Sequence, residues 1–476
     1  MKVKQIKLDP QTGGLITVKK DGVAVEPQHI SIREADEHAA NEKLANPEAT
    51  VTYEVNQVVE AKLYEIDIPD EVPPPPEPQP APDFIRANVP SAPVDAPVYV
   101  FGINTNQSSW QVLWNGIGVA GHPVTIVKVP ANASTVPLTV GGYSVPVTAN
   151  SGRLINITDG QSLKTATQNI QSGDYIVIPE GNWPERYDNN NWNEANFCLF
   201  ADGTPQLPIA FVSAPGANVI IENTTAYRPN FCFGDNGTSR AASYISVCGF
   251  HLKAQQANVS GGGNTADSNH PESGGDNIII IGNLCEILNT TANTMTGLIS
   301  VQGDRCKALY NKLVDPVART IINNNHAIYI QCGADDVEVA FNDLTDLRMG
   351  HTIQVHQDGT PMLYTNINIH DNYIHSPSDM DTRGITVSNV DNNSTVFIRG
   401  NRLKNLGQQF SGICVYRGMV VVEDNVLENI NSGGIVVNGG YGGTRLVTAR
   451  RNTFTNVSGG RYVAQNGASL LDIDHD

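Results

Sequence analysis

One short pattern recurs through the second half of this chain: apolar-x-apolar-x-x-Asn-x-apolar, the last position most often Leu or Ile. It appears as IIIIGNLC (Asn283), CKALYNKL (Asn311), VEVAFNDL (Asn342), INIHDNYI (Asn372), VFIRGNRL (Asn401), VVVEDNVL (Asn425) and VTARRNTF (Asn452). The steps between these asparagines are 28, 31, 30, 29, 24 and 27 residues. Between them lies a second apolar strand: LISVQG, AIYIQCG, TIQVHQDG, GITVSN, GICVYRG and GIVVNGG. A repeat too short to enclose its own core must stack on its neighbours, and alternation inside each short strand marks a β-solenoid. Successive coils then lie about 4.8 Å apart with all strands parallel. The fold class expected is all-β: a right-handed parallel β-helix over residues 151–465.

The register follows from the alternation. Positions five and three before each Asn are nearly all apolar and point inward. Positions four and two before it, among them Lys307, Glu338, His370, Arg399, Glu423 and Arg450, point outward. The Asn itself is expected at the bend, in the left-handed conformation that Asn tolerates, with its side chain hydrogen-bonded along the axis.

Ahead of the repeat, residues 1–72 read as a small α+β unit. Strands are expected at Val3–Leu8, Leu15–Lys19, Val51–Val55 and Ala61–Ile66, and a capping box at Ser31–Glu34 opens a helix. Residues 73–83 are a proline-rich spacer. Residues 84–150 carry alternating segments (Pro97–Gly102, Trp110–Leu113, Val124–Val129, Leu138–Val140) and read as a small β-domain. Residues 466–476 form a tail.

With a net charge of −18, the chain lacks the basic footprint of a nucleic-acid binder. It contains no apolar run long enough to insert in a membrane, and its first residues, MKVKQIKLDPQTGG, have no signal-peptide core. Seven irregularly spaced cysteines, without a CxxC, suit buried thiols of a protein folded in a reducing cytoplasm.

The segments DGQSLKTATQNIQSGDYIVIPEGNW (159–183), GTPQLPIAFVSAPGANVIIEN (203–223) and SYISVCGFHLK (243–253) resemble the opening coils of pectate-lyase-like β-helix proteins. With the N-terminal unit and proline spacer, the chain is most similar to bacteriophage tailspikes and polysaccharide depolymerases. That resemblance implies a virion protein, anchored to other virion proteins through its N-terminus, homotrimeric, and binding or cleaving a bacterial surface polysaccharide. A non-enzymatic tail fibre or capsid decoration is the alternative. No cofactor is expected; calcium enters only through the lyases of the superfamily, whose acidic ligand and base would fall on Asp371 and Arg383.

Five of the eleven histidines (His326, His351, His356, His370, His375) fall in three adjacent coils. Aligning the second strands places Asp304, Asp335–Asp336, Asp358 and Asp391 at one corner. Neighbouring coils would set two carboxylates roughly 5 Å apart, and alternate coils about 9.5 Å, near the spacings of retaining and inverting glycosidases. Asp336, Asp358, Asp304, Glu338 and His356 are therefore the candidate catalytic residues. Asp beside Gly is also what a tight turn selects. Tyr329, Gln331, Gln354, His351, Arg348, Tyr416 and Trp192 are the candidate sugar-binding residues, on a polar and aromatic strip suited to hydroxyls and ring faces. No metal site is expected, since no HExxH or His-x-His occurs.

Overall fold

In a computed structural model the described residues are 2–7, 16–21, 23–29, 38, 42–43, 45, 49–55, 62–67, 85–102, 111–114, 117–120, 124–129, 136–140, 143–184, 195–224, 229–233, 242–254, 259–260, 275–288, 296–314, 325–345, 347, 350–357, 359–376, 382–406, 411–440, 445–468 and 472–473. The chain divides into two compact units, Met1–Ala81 and Pro82–Asp476. In the first, Lys2–Lys7 pairs antiparallel with Lys62–Asp67. Ile16–Lys20 lies between Val23–His29 and Val51–Val55, also antiparallel, and His38, Glu42, Lys43 and Ala45 are helical.

The second unit is a parallel β-helix. Sheet A stacks twelve strands, from Leu154–Asn156 to Asp472–Ile473. Sheet B stacks ten, from Gly181–Trp183 to Thr453–Val457, and sheet C ten, from Phe197–Leu199 to Tyr462–Gln465. Each regular coil runs A, then B, then C. The final A strand lies in the stretch expected as a tail, where Ile473 pairs with Ala449.

Alternation explains the core. Val337, Val339, Ile367, Ile369, Val396, Ile398 and Val422 point inward and are fully buried. Removing such a side chain from water is worth about 2 kcal/mol, and the next coil supplies the cover. In the first coils Phe197 and Phe231 stack at 4.5 Å between centroids. The helix Gly160–Gln168 closes this end: Asp159 caps it by accepting from the Ser162 N–H, and Leu163 inserts into the core.

The asparagines sit at the bend between sheets A and B, as expected, but are not themselves left-handed. The residue before each one is: Gly282, Tyr310, Phe341, Asp371, Gly400, Asp424 and Arg451 all have φ between 51° and 65°. The asparagines are buried and read the backbone instead. Oδ1 of Asn342 accepts the Asn311 N–H at 3.0 Å and the Asn311 amide at 3.1 Å, while its Nδ2 donates to Ala308 O at 2.8 Å. The same bonds recur from Asn283 to Asn452. The strain of a left-handed Tyr or Phe, ~1 kcal/mol, is offset by these bonds.

The described residues of the stretch 84–150, expected as a small β-domain, fall in the same compact unit as the coils, and part of them covers the outer face of sheet A. Val98, Tyr99, Val100 and Phe101 share one buried cluster with Tyr175, Val212, Ile281, Tyr310 and Phe341. Phe101 stacks on Tyr310 at 5.4 Å, and the Tyr99 hydroxyl donates to Ser213 O at 2.6 Å. A Cβ on Gly282 would lie 2.3 Å from the Phe101 ring, so this coil needs glycine there.

Candidate functional site

The acids align differently from the sequence-based register. Asp276, Asp304 and Asp335 occupy the corner between sheets C and A. Asp276 Oδ1 accepts the Asp304 N–H, Asp304 Oδ1 the Asp335 N–H and Asp335 Oδ1 the Thr365 N–H, at 2.7–2.9 Å. Each therefore has one carboxylate oxygen engaged in holding the next turn. Burial pushes the Asp304 carboxyl up, opposed by its bond to Asp335 and reinforced by the charges of Asp276 and Asp335. Asp336 is one residue further, exposed and left-handed at φ 54°, aligned with Arg305 and Asn366 rather than with Asp304. Its Oδ1 accepts from the Asn366 amide at 2.7 Å. Asp391 lies at the same C-to-A corner two coils on, between Arg383–Ser388 and Thr395–Arg399, but outside this ladder: it accepts the Asn393 N–H. Asp358, Arg348 and Trp192 lie outside the described residues.

Glu338 is not beside the polar strip; it projects from sheet A. Arg86, from the covering layer, reaches it at 3.0 Å, Lys307 at 2.8 Å and His370 at 3.4 Å. Burial acts to raise its carboxyl, but the bonds from His370 and Lys307 prevail and hold it well below the usual range. His370 also contacts Asp371 at 2.8 Å. With a carboxylate at each ring nitrogen both must donate, so this imidazole is protonated. Burial opposes that charge, yet Asp371 and Glu338 raise its pKa. Asp371 is thereby taken into this cluster.

The outer face of sheet C holds the other candidates. Strand register places Ser300, Tyr329, Gln354, Thr386 and Cys414 in one row across five coils. His326, His351 and Arg383 are in register at the strand starts, and His356 pairs with Ser388 at the ends. Stacking ties the rings together: His326 lies 4.3 Å from Tyr329 and 5.4 Å from His351, and Tyr329 lies 6.3 Å from His356. Gln331 donates to Ser300 Oγ at 2.9 Å.

Bond directions fix the charge state of His351. Arg383 carries only donors, so its contact at 3.0 Å makes His351 Nε2 an acceptor. The proton is then on Nδ1, donated to Thr386 Oγ1 at 3.0 Å. Burial first, then the charges of His326, Arg383 and His356, push the imidazole down to about 2. His356 Nδ1 lies 3.1 Å from Ser388 O, which can only accept, so Nε2 is the proton-accepting nitrogen of this ring.

Most of this face is enclosed: His326, Tyr329, His351 and Gln354 are 6%, 7%, 4% and 6% exposed. His356, Arg383 and Tyr416 are half-buried and form the accessible rim. The described strands of sheet C contain no Asp or Glu, and Arg383 is their one Lys or Arg. Arg383 was recognisable as a partner of His351, because aligning Ile353 with Ile385 sets RGITVS on HTIQVH. Aligning Ile328 with Ile353 sets His326 on His351 in the same way. Among the described residues no group of three His, Cys, Asp or Glu is arranged to hold a metal ion. No described helix is long and apolar enough to cross a membrane.

Comparison with known proteins bears on the fold. The family model described as right handed beta helix region matches residues 316–472. No curated protein matches the sequence. Among solved structures, the PL6 family alginate lyase AlyGC shares 12% identity over 67% of this chain, with a TM-score of 0.44; the chain spans 41% of that protein's length. A mannuronic acid specific polysaccharide family 6 lyase from human gut microbiota shares 11% identity, covering 68% of this chain and 79% of that one, at 0.41. PfbA, a surface adhesin of Streptococcus pneumoniae, shares 13%, covering 65% and 89%, at 0.33. The matched family model and the three stacked parallel sheets agree: the described coils from Leu154 to Ile473 form a right-handed parallel β-helix.

Proposed function

We propose that this chain binds a bacterial surface polysaccharide on the outer face of sheet C and cleaves it there by β-elimination. The observation supporting elimination over two-carboxylate hydrolysis is the composition of that face: imidazoles, amides, hydroxyls and one guanidinium, with no carboxylate in its described strands. Elimination from a uronate requires a cation at the carboxylate and a base at the adjacent C–H. His356 Nε2 suits the second role; Arg383, held against His351 at the strand starts about 16 Å along the sheet, suits the carboxylate of a neighbouring uronate in the bound chain. The base takes the C5 proton, the C4–O bond breaks as the C4–C5 double bond forms, and protonated His356 returns the proton to the leaving oxygen. Tyr329, Gln331, Gln354, His351 and Tyr416 would hold the chain.

The setting is part of the same proposal: a homotrimeric tailspike-like virion protein with residues 1–72 directed to other virion proteins. The enclosure of the face favours a second reading, a receptor-binding protein that holds glycan without cutting it. Incubating the full chain with purified capsular polysaccharides and O-antigens separates the readings. New reducing ends with ultraviolet absorbance from an unsaturated product support elimination. Reducing ends alone indicate hydrolysis, binding without either supports the second reading, and no binding to any glycan overturns both.

A further inference from the structure

Gln354 stands at the middle of the sheet C row, with Tyr329 one coil before and Thr386 one coil after. Its Nε2 donates to Ser388 Oγ at 3.0 Å. Its Oε1 is buried with no hydrogen-bond partner among the described residues. A buried amide oxygen without a donor is costly, and an apolar side chain of the same shape avoids that cost. Beside it, His351 donates to Thr386, and His356 meets Ser388. The row therefore presents one acceptor that the described protein leaves for something else.

We propose that Gln354 is a specificity-determining residue whose Oε1 accepts a hydrogen bond from a sugar hydroxyl or acetamido N–H. This rests on the reading that the sheet C face binds a polysaccharide. The chemistry is selective by sign. A hydroxyl or N–H completes the site, whereas an ether, ester or ionised carboxylate at that position places acceptor against acceptor. Discrimination arises because a ring lacking the donor leaves a desolvated oxygen unpaired. Arg383, at the start of the next strand, would face an acidic group while Gln354 reads a neutral one.

The test uses the full chain and the bacterial polysaccharide that binds it most tightly from the panel above, native and partially O-methylated. Gln354→Met keeps the volume and removes both polar atoms. Affinity for the native glycan should fall on the order of 10- to 100-fold. The penalty that methylation imposes on the wild type should shrink by a similar factor in the variant. Without glycan, the melting temperature should stay within a few degrees of wild type, which a purely structural glutamine would not allow. Equal binding by wild type and Gln354→Met overturns this inference while leaving the glycan reading intact. No binding by the wild type overturns both.

Discussion

The outer faces of sheets A and C are built on the same coils yet treat histidine in opposite ways. On sheet A, His370 is gripped by two carboxylates and held protonated. On sheet C, His351 is packed against a guanidinium and another imidazole and held neutral. The coil geometry is common to both, so the outward residues alone decide. A charged cluster under a protein layer fixes architecture; the sheet C face instead carries the imidazoles, amides and hydroxyls that we propose meet a ligand. Burial perturbs ionisation on both faces, so a shifted pKa does not by itself indicate chemistry here.

The strongest way to break this contrast is to remove the groups assigned to chemistry. His356→Ala should lower cleavage by ~10²–10⁴-fold, measured as unsaturated product released, and Arg383→Ala should weaken binding of an acidic glycan. Arg383→Ala removes the donor to the buried His351 Nε2 and should lower the unfolding midpoint, whereas His356→Ala should leave it near wild type. Glu338→Gln should do the reverse. It leaves Arg86, Lys307 and His370 without their shared carboxylate, costing about 2 kcal/mol once the partial exposure of Arg86 and Lys307 is allowed for. Denaturant unfolding should show that loss, with cleavage per folded molecule unchanged.

A pH series sharpens the comparison. For His351, lowered to about 2, the unfolded chain takes up a proton below its ordinary value near 6.5 while the fold refuses it. Stability should therefore fall with acid by up to ~1.4 kcal/mol per pH unit between those limits, and His351→Asn should reduce the slope. His370 has the opposite sign. Its raised pKa contributes stability below about 6.5 that is lost as pH rises through its folded value. The smallest effects belong to the corner acids. Asp336→Asn and Asp304→Asn keep an amide oxygen as turn acceptor and should shift stability by no more than about 0.5 kcal/mol, with cleavage retained.

The contrast between the sheets also marks how far the sequence could be read. Inward positions are legible because one rule, apolar every second residue, must hold in every coil; Val337, Val339, Ile367 and Ile369 follow it. Asn342 and its equivalents were placed at the correct bend, but the left-handed residue is the one before. That choice depends on where the buried amide finds backbone partners. The acid row was legible in part: Asp304 and Asp335 share the corner as aligned, but the next coil presents Thr365 there, because loop lengths vary from coil to coil. Glu338 was seen as outward, but not as belonging to a different face from Gln354, because a period says which residues recur and not which sheet they share. Val23–His29 escaped notice because Pro27 interrupts its alternation.

The asparagine ladder also has a consequence for how such a protein can change over time. Each rung bonds to the coil before it through identical atoms, whether the step is 24 residues or 31. Copying the stretch from one asparagine to the next would rejoin every rung to an equivalent neighbour. A single-residue insertion within the motif would separate the amide from its carbonyl. A gene encoding these coils can therefore lengthen by duplication of whole periods and diversify in its connecting loops. The eight residues around each asparagine must meanwhile keep their spacing.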